Sequence, residues 1–190
     1  MTKDEFLLRF SLQSLAPSTH NYFHNKPLKS AAVLIGLVET KHSGLQVLLT
    51  KRASHLTHHP SQISFPGGRA ELEDSSLTIT ALRETEEEIG LTAQAVTVVG
   101  QLPPYQTISG YHVTPIVAII AQEQHYKSDP NEVSEIFQVP LQYFLSGENQ
   151  HVIAASKNGR QHNVHFMPYK HYNIWGATAS MLKDLVNQIT

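Results

Sequence analysis

Three carboxylates dominate the chemistry this chain can offer. Glu84, Glu87 and Glu88 follow one another at i, i+3 and i+4, which on a helix puts them within an arc of about 100°. Like charges at that spacing repel by roughly 0.2–0.5 kcal/mol per pair. A hard divalent cation turns that repulsion into coordination, because Mg²⁺ and Mn²⁺ prefer carboxylate oxygen. Upstream stands Phe65-Pro66-Gly67-Gly68, and Arg83 immediately precedes the first glutamate. The pattern therefore reads as a glycine turn leading through an acidic loop to a helix that offers its acids to a cation. Glu86 points away from the other three and reads as a solvent-facing residue.

Several elements must position this helix. Ser75 or Ser76 is placed to cap its start and Gly90 to end it, while Leu82, Thr85 and Ile89 supply a face for packing on a sheet. The apolar run 31–38 has the length of a buried strand, and the turn residues 41–44 return it as a second strand over 45–50. Further strands are expected at 95–101 and 113–121, with a loop at 103–110 between them. Residues 132–137 read as strand or loop, 141–146 as a short helix, and 151–155 with 163–166 as strands joined by a turn at 157–160. Helices are expected at 4–15 and 177–189, and 17–27 reads as a connector. The order predicts an α/β (α+β) chain, a mixed β-sheet sandwiched between helices, with residues 1–29 as N-terminal helix and connector and 30–190 as the main domain.

Composition narrows the class. The chain has 190 residues, a formal net charge of −2 and no cysteine. One core-forming domain follows from the length. The charge gives no broad pull toward nucleic acid or membrane, although local basic residues remain free to hold a phosphate. The missing cysteines remove disulfides, thiolate zinc sites and a cysteine nucleophile. The N-terminus is acidic where a signal peptide is basic, and no apolar run reaches spanning length. The expectation is a cytoplasmic protein without nucleic-acid or membrane partners; a homodimer stays open.

The residues 68–91 resemble the Nudix box, the signature of Nudix hydrolases. Arg83-Glu84, Glu87-Glu88 and Gly90-Leu91 match its tail. Its head is displaced: the pattern asks for glycine where Arg69 stands and for glutamate where Ser75 stands, and Gly68 and Asp74 supply that chemistry one residue early. A one-residue expansion here is typical of the coenzyme A pyrophosphatase branch. Leu48-Leu49-Thr50 with Arg52-Ala53, then Phe65-Pro66-Gly67-Gly68, is similar to that branch's second signature, with Thr57 where it usually has arginine and Ser61 where it usually has glycine. Ser109-Gly110, Val113-Thr114-Pro115, Asn131-Glu132-Val133, Val139-Pro140-Leu141 and Ile174-Trp175-Gly176 extend the likeness over residues 30–189.

The resemblance implies the Nudix fold and metal-dependent hydrolysis of a nucleoside diphosphate derivative with Mg²⁺ or Mn²⁺. Coenzyme A or an acyl ester is the implied substrate, giving 4′-phosphopantetheine and adenosine 3′,5′-bisphosphate. Glu84, Glu87 and Glu88 are the implied metal ligands, with Gly68 lending a carbonyl. Arg83 orients a glutamate, and Lys51, Arg52 and Arg69 are the candidates for substrate phosphates. The general base stays open between the box glutamates (Glu87, Glu88) and the later Glu132 or Glu135. Two other readings stay open: a Nudix hydrolase acting on ADP-ribose or a dinucleotide polyphosphate, and a non-catalytic nucleotide-binding regulator, against which the intact glutamate set argues. His55, His58 and His59 fit no common zinc spacing; Trp175 reads as core packing, and Tyr105 and Tyr111 as adenine platforms or plain core and surface residues.

Overall fold

Strand β1 (Lys29–Thr40) contains the run 31–38 and lies in the middle of the sheet. The structure, a computed structural model, describes residues 1–18, 27–41, 43–122, 124–157 and 160–190. The elements follow as α1 (Lys3–Leu12), β1, β2 (Gly44–Arg52), β3 (Ile63–Ser64), β4 (Gly67–Arg69), α2 (Leu77–Ile89), β5 (Val96–Gln101) and β6 (Tyr105–Gln106). After these come β7 (Tyr111–Ile120), β8 (Val133–Pro140), α3 (Leu141–Leu145), β9 (His151–Lys157), β10 (Arg160–Phe166) and α4 (Gly176–Ile189).

β1 runs parallel to β7 from Lys29↔Tyr111 to Val38↔Ile120, and antiparallel to β2 and β4. β8 pairs with β2, and β5 and β6 with β7, which makes a mixed sheet. Both faces of β1 are covered, so its sequence is apolar throughout rather than alternating. Ile35 and Leu37 face a core shared with α1 and α4, while Ala32 and Leu34 face one shared with α2. Each fully buried Leu or Ile here contributes about 1.5–3 kcal/mol. Phe6 of α1 is fully buried in the first of these cores, so the N-terminal helix packs within it.

The predicted mixed α/β sandwich is the observed fold, and the hairpin of β1 and β2 forms as expected. Two local expectations need correction, and one left open is decided. Gly67-Gly68 is not a turn but strand β4, paired with β1 at Ala32↔Gly68 and Val33↔Gly67. Gly67 has φ 151°, and a Cβ there would strike the Ala32 carbonyl and Val33; only glycine lets the two backbones approach so closely. The loop 103–110 holds a short strand, β6, and the ambiguous stretch 132–137 is strand from Val133. Of the connector 17–27 and the turn 157–160, residues 19–26 and 158–159 lie outside the described residues.

Candidate active site

α2 begins where Ser76 Oγ accepts the Ile79 N–H at 3.2 Å, and ends at Gly90, whose left-handed φ of 69° closes the last turn onto Glu86 O. Ala81, Thr85 and Ile89 are buried beneath it, while Glu86 is exposed as expected. The last carbonyls of α2 are taken by the loop between β7 and β8: Lys127 N–H donates to Ile89 O and Asp129 N–H to Glu88 O, both at 2.9 Å. That loop then turns back, and Ala53 N–H donates to Glu132 O at 2.8 Å. These backbone bonds fix Glu132 between the end of β2 and the end of α2.

The single acidic face expected for Glu84, Glu87 and Glu88 is split. Glu88 is 3% exposed. Its Oε2 is buried without a hydrogen-bond partner, and the Gly67 N–H donates to the same carboxylate. Burial pushes Glu88 up to about 8; the nearby Glu132 carboxylate adds to this and the Arg52 guanidinium opposes it. Burial also raises Glu84, against the pull of Arg83. Glu87, with its side chain 59% exposed, turns outward and accepts from Arg83 Nη1 at 2.9 Å. The expected triad thus becomes a cluster of Glu84, Glu88 and Glu132 beside Arg52, with Glu87 at its margin.

Arg83 behaves as an organiser. Its Nε and Nη2 both reach the Asp74 carboxylate at 3.1 Å, a bidentate pair. It also bridges to Glu84 at 3.1 Å and donates to the Arg69 carbonyl. Asp74 in turn accepts from the Glu71 N–H and the Thr80 hydroxyl, and these donors with Arg83 hold its carboxyl far below the usual carboxylate range. The loop before α2 is therefore laced to the helix. A Cβ at Gly68 would lie 2.5 Å from the Glu84 carboxylate, so β4 passes directly against that side chain.

The remaining candidates separate. Arg52 faces Glu88, and its Nε is buried without a hydrogen-bond partner. Lys51, one residue away on β2, lines a different cavity of about 370 Å³ with His171 and Trp175. Arg69 is exposed on β4. Glu135 accepts from the Tyr172 hydroxyl, which holds Tyr172 up at about 12. Trp175 is corrected: it is 40% exposed at the start of α4, stacked at 6.2 Å on Phe166, rather than core. Tyr105 belongs to the core, and Tyr111 lies under the Lys29 ammonium.

Among the described residues no three His, Asp or Glu side chains form a finished cation cage. The chemistry of the cluster still fits one: an orphaned buried carboxylate oxygen, two further carboxylates around it, and a glycine backbone drawn up close. Residues 27–181 match the NUDIX domain family. The chain belongs to the Nudix family. An uncharacterised Nudix hydrolase, NudL, of Enterobacter sp. (strain 638) is 41% identical over 189 residues, covering 100% of this chain and 95% of that protein. NudL of Salmonella heidelberg (strain SL476) is likewise 41% identical over 190 residues, with the same coverage. Among solved structures, the NUDIX domain of Shewanella oneidensis NrtR, complexed with ADP ribose, aligns over 100% of both chains with TM-score 0.55 and 17% identity. The Nudix hydrolase RenU of M. smegmatis covers 68% of this chain and 81% of its own with TM-score 0.52 and 22% identity; these two likenesses concern the fold. The chain is thus a Nudix hydrolase, a pyrophosphohydrolase of nucleotide derivatives, of a family that works with divalent metal ions.

The Nudix box is visible here as a physical device. Its displaced acid, Asp74, spans the extra residue and still chelates Arg83. Sequence reasoning missed how deeply Glu88 is buried and that Glu87 is held outward. The Arg83–Glu87 spacing of i, i+4 was the available signal for the second.

Proposed function

We propose that this enzyme hydrolyses the diphosphate of coenzyme A or acyl-coenzyme A, with Mg²⁺ or Mn²⁺, to 4′-phosphopantetheine and adenosine 3′,5′-bisphosphate. The observation that carries the metal-dependent part is the buried Glu88 carboxylate beside Glu132 and Arg52. The substrate rests on the expanded loop before α2 and on the upstream signature, whose two halves are drawn together where Thr50–Lys51 of β2 pairs with the spacer residues Ile63–Ser64 of β3.

Glu84 and Glu88 would hold the cation with the Gly68 carbonyl beside them; Glu87, bonded outward to Arg83, would join by swinging back. A bound divalent cation neutralises diphosphate oxygens and lowers the pKa of a water molecule. Arg52 neutralises a further phosphate oxygen, since its guanidinium lies close enough to the cluster to act on Glu88. Glu132 accepts the proton of the attacking water, since its loop brings it to Glu84 and Glu88. Arg83 holds Glu84 in place, and Lys51 and Arg69 supply positive charge toward the outer phosphates. Water adds to one phosphorus, the bridging P–O bond breaks, and the departing phosphate leaves as a monoester. A panel of coenzyme A, acetyl-coenzyme A, ADP-ribose and a dinucleotide polyphosphate tests the reading. Turnover of ADP-ribose with coenzyme A untouched would sink it.

A further inference from the structure

The outer edge of β8 and the loop 124–128 border an open cleft of about 570 Å³. That is within the range of small-molecule sites. Gln124, His125, Ser128, Ser134, Glu135 and Gln138 are among its lining, which includes one carboxylate and neither lysine nor arginine. Among the described residues β8 pairs only with β2, so its outer edge offers backbone N–H and C=O groups to whatever lies in the cleft. Both walls continue from the candidate active site. The loop wall is bonded to α2 through Lys127 and Asp129, at Ile89 and Glu88. The strand wall begins at Val133, immediately after Glu132.

We propose that this cleft is the subsite for the neutral, amide-bearing arm of the substrate, the pantetheine portion, which lies along β8 as an added strand does. The proposal rests on the coenzyme A reading and goes beyond it by giving the substrate a direction. Pantetheine is extended and carries two amides, and amide groups pair with a free strand edge through main-chain hydrogen bonds. The glutamine and serine side chains supply further neutral donors and acceptors. The cleft has no lysine or arginine to receive a phosphate, so the nucleotide end with its 3′-phosphate is turned away from it. The other cavity suits that end, since Lys51 gives it a cation and the half-exposed Trp175 a flat ring.

The test uses the full chain carrying Gln124→Trp, which fills the cleft, and a second variant, Ser128→Trp. Each is assayed on coenzyme A and on a shortened substrate, the methyl ester of adenosine 3′-phosphate 5′-diphosphate, which has no pantetheine arm. The expected result is a rise of ~10-fold in KM for coenzyme A, with kcat/KM for the methyl ester unchanged within about twofold. Free pantetheine is expected to inhibit the unaltered enzyme competitively and to lose that effect in both variants. Coenzyme A kinetics unmoved in both variants would overturn the subsite alone. An equal loss on both substrates would also overturn it, as a merely structural effect. No cleavage of coenzyme A by the unaltered enzyme would bring down the substrate reading itself, and the subsite with it.

Discussion

Glu88 carries a conflict that a bound cation would resolve. Its carboxyl is buried with an unpaired oxygen, yet the reading of the site needs it ionised. Replacing it by its neutral isostere, Glu88→Gln, is expected to reduce kcat by ~10²-fold or more while leaving the fold intact, as judged by circular dichroism. Full activity would contradict the metal assignment. The same burial gives a pH signature. Folded Glu88 keeps its proton up to about 8, against an ordinary value of 4.5, so between these values the folded state binds more protons than the unfolded one. The contribution of this carboxyl to the stability of the metal-free protein is therefore fully present below about 4.5 and is lost as pH rises through about 8, by a few kcal/mol. Thermal melts across that window should show a falling midpoint, a flatter curve for Glu88→Gln, and recovery on adding Mg²⁺. A midpoint that rises with pH in the metal-free protein would contradict the account.

At the scale of the element, two adjacent glycines in β4 do different things. Gly67→Ala puts a Cβ into the backbone of β1 at a φ reserved for glycine, so a loss of stability of at least ~2 kcal/mol is expected in denaturant unfolding. Gly68→Ala meets first the Glu84 carboxylate, the movable end of a side chain. It should leave the unfolding midpoint nearly unchanged and cut activity, because Glu84 must move. Equal effects of the two on stability would contradict this division. Ser61, where the resembled branch has glycine, adopts φ 59°; Ser61→Gly removes a left-handed non-glycine residue and should raise the unfolding free energy by about 0.5–1 kcal/mol. These elements show what the sequence made legible. The helical period of Glu84, Arg83 and Ile89, its caps, and the apolar run of β1 are local signals and survive as read. Gly67-Gly68 reads as a turn because a glycine pair has no strand propensity of its own; only close approach to β1 makes it a strand. Glu132 reaches Glu88 through backbone bonds made by residues far apart in sequence, and Trp175 is left half-exposed by the way α4 starts. No local pattern carries either fact.

Across the whole molecule, one sheet separates two tasks. Its α2 side holds the carboxylates, and its α1 and α4 side supplies most of the core. α1 belongs to that second layer: Arg9 donates to the Ile189 carbonyl, and Gln188 donates to the carbonyls of Phe10 and Gln13. Phe6→Ala should therefore destabilise the entire protein by ~3–5 kcal/mol, read as a single cooperative transition. A change confined to the N-terminal segment would contradict an integral α1. No helix among the described residues is long and apolar enough to cross a membrane. The central claim concerns the bond that is cut, and product analysis with coenzyme A in ¹⁸O-labelled water, with Mg²⁺ or Mn²⁺, tests it most directly. The account predicts 4′-phosphopantetheine and adenosine 3′,5′-bisphosphate in equal amounts, with one ¹⁸O atom in one of the two products. Intact coenzyme A after incubation with either metal, under conditions in which ADP-ribose is cleaved, would contradict it.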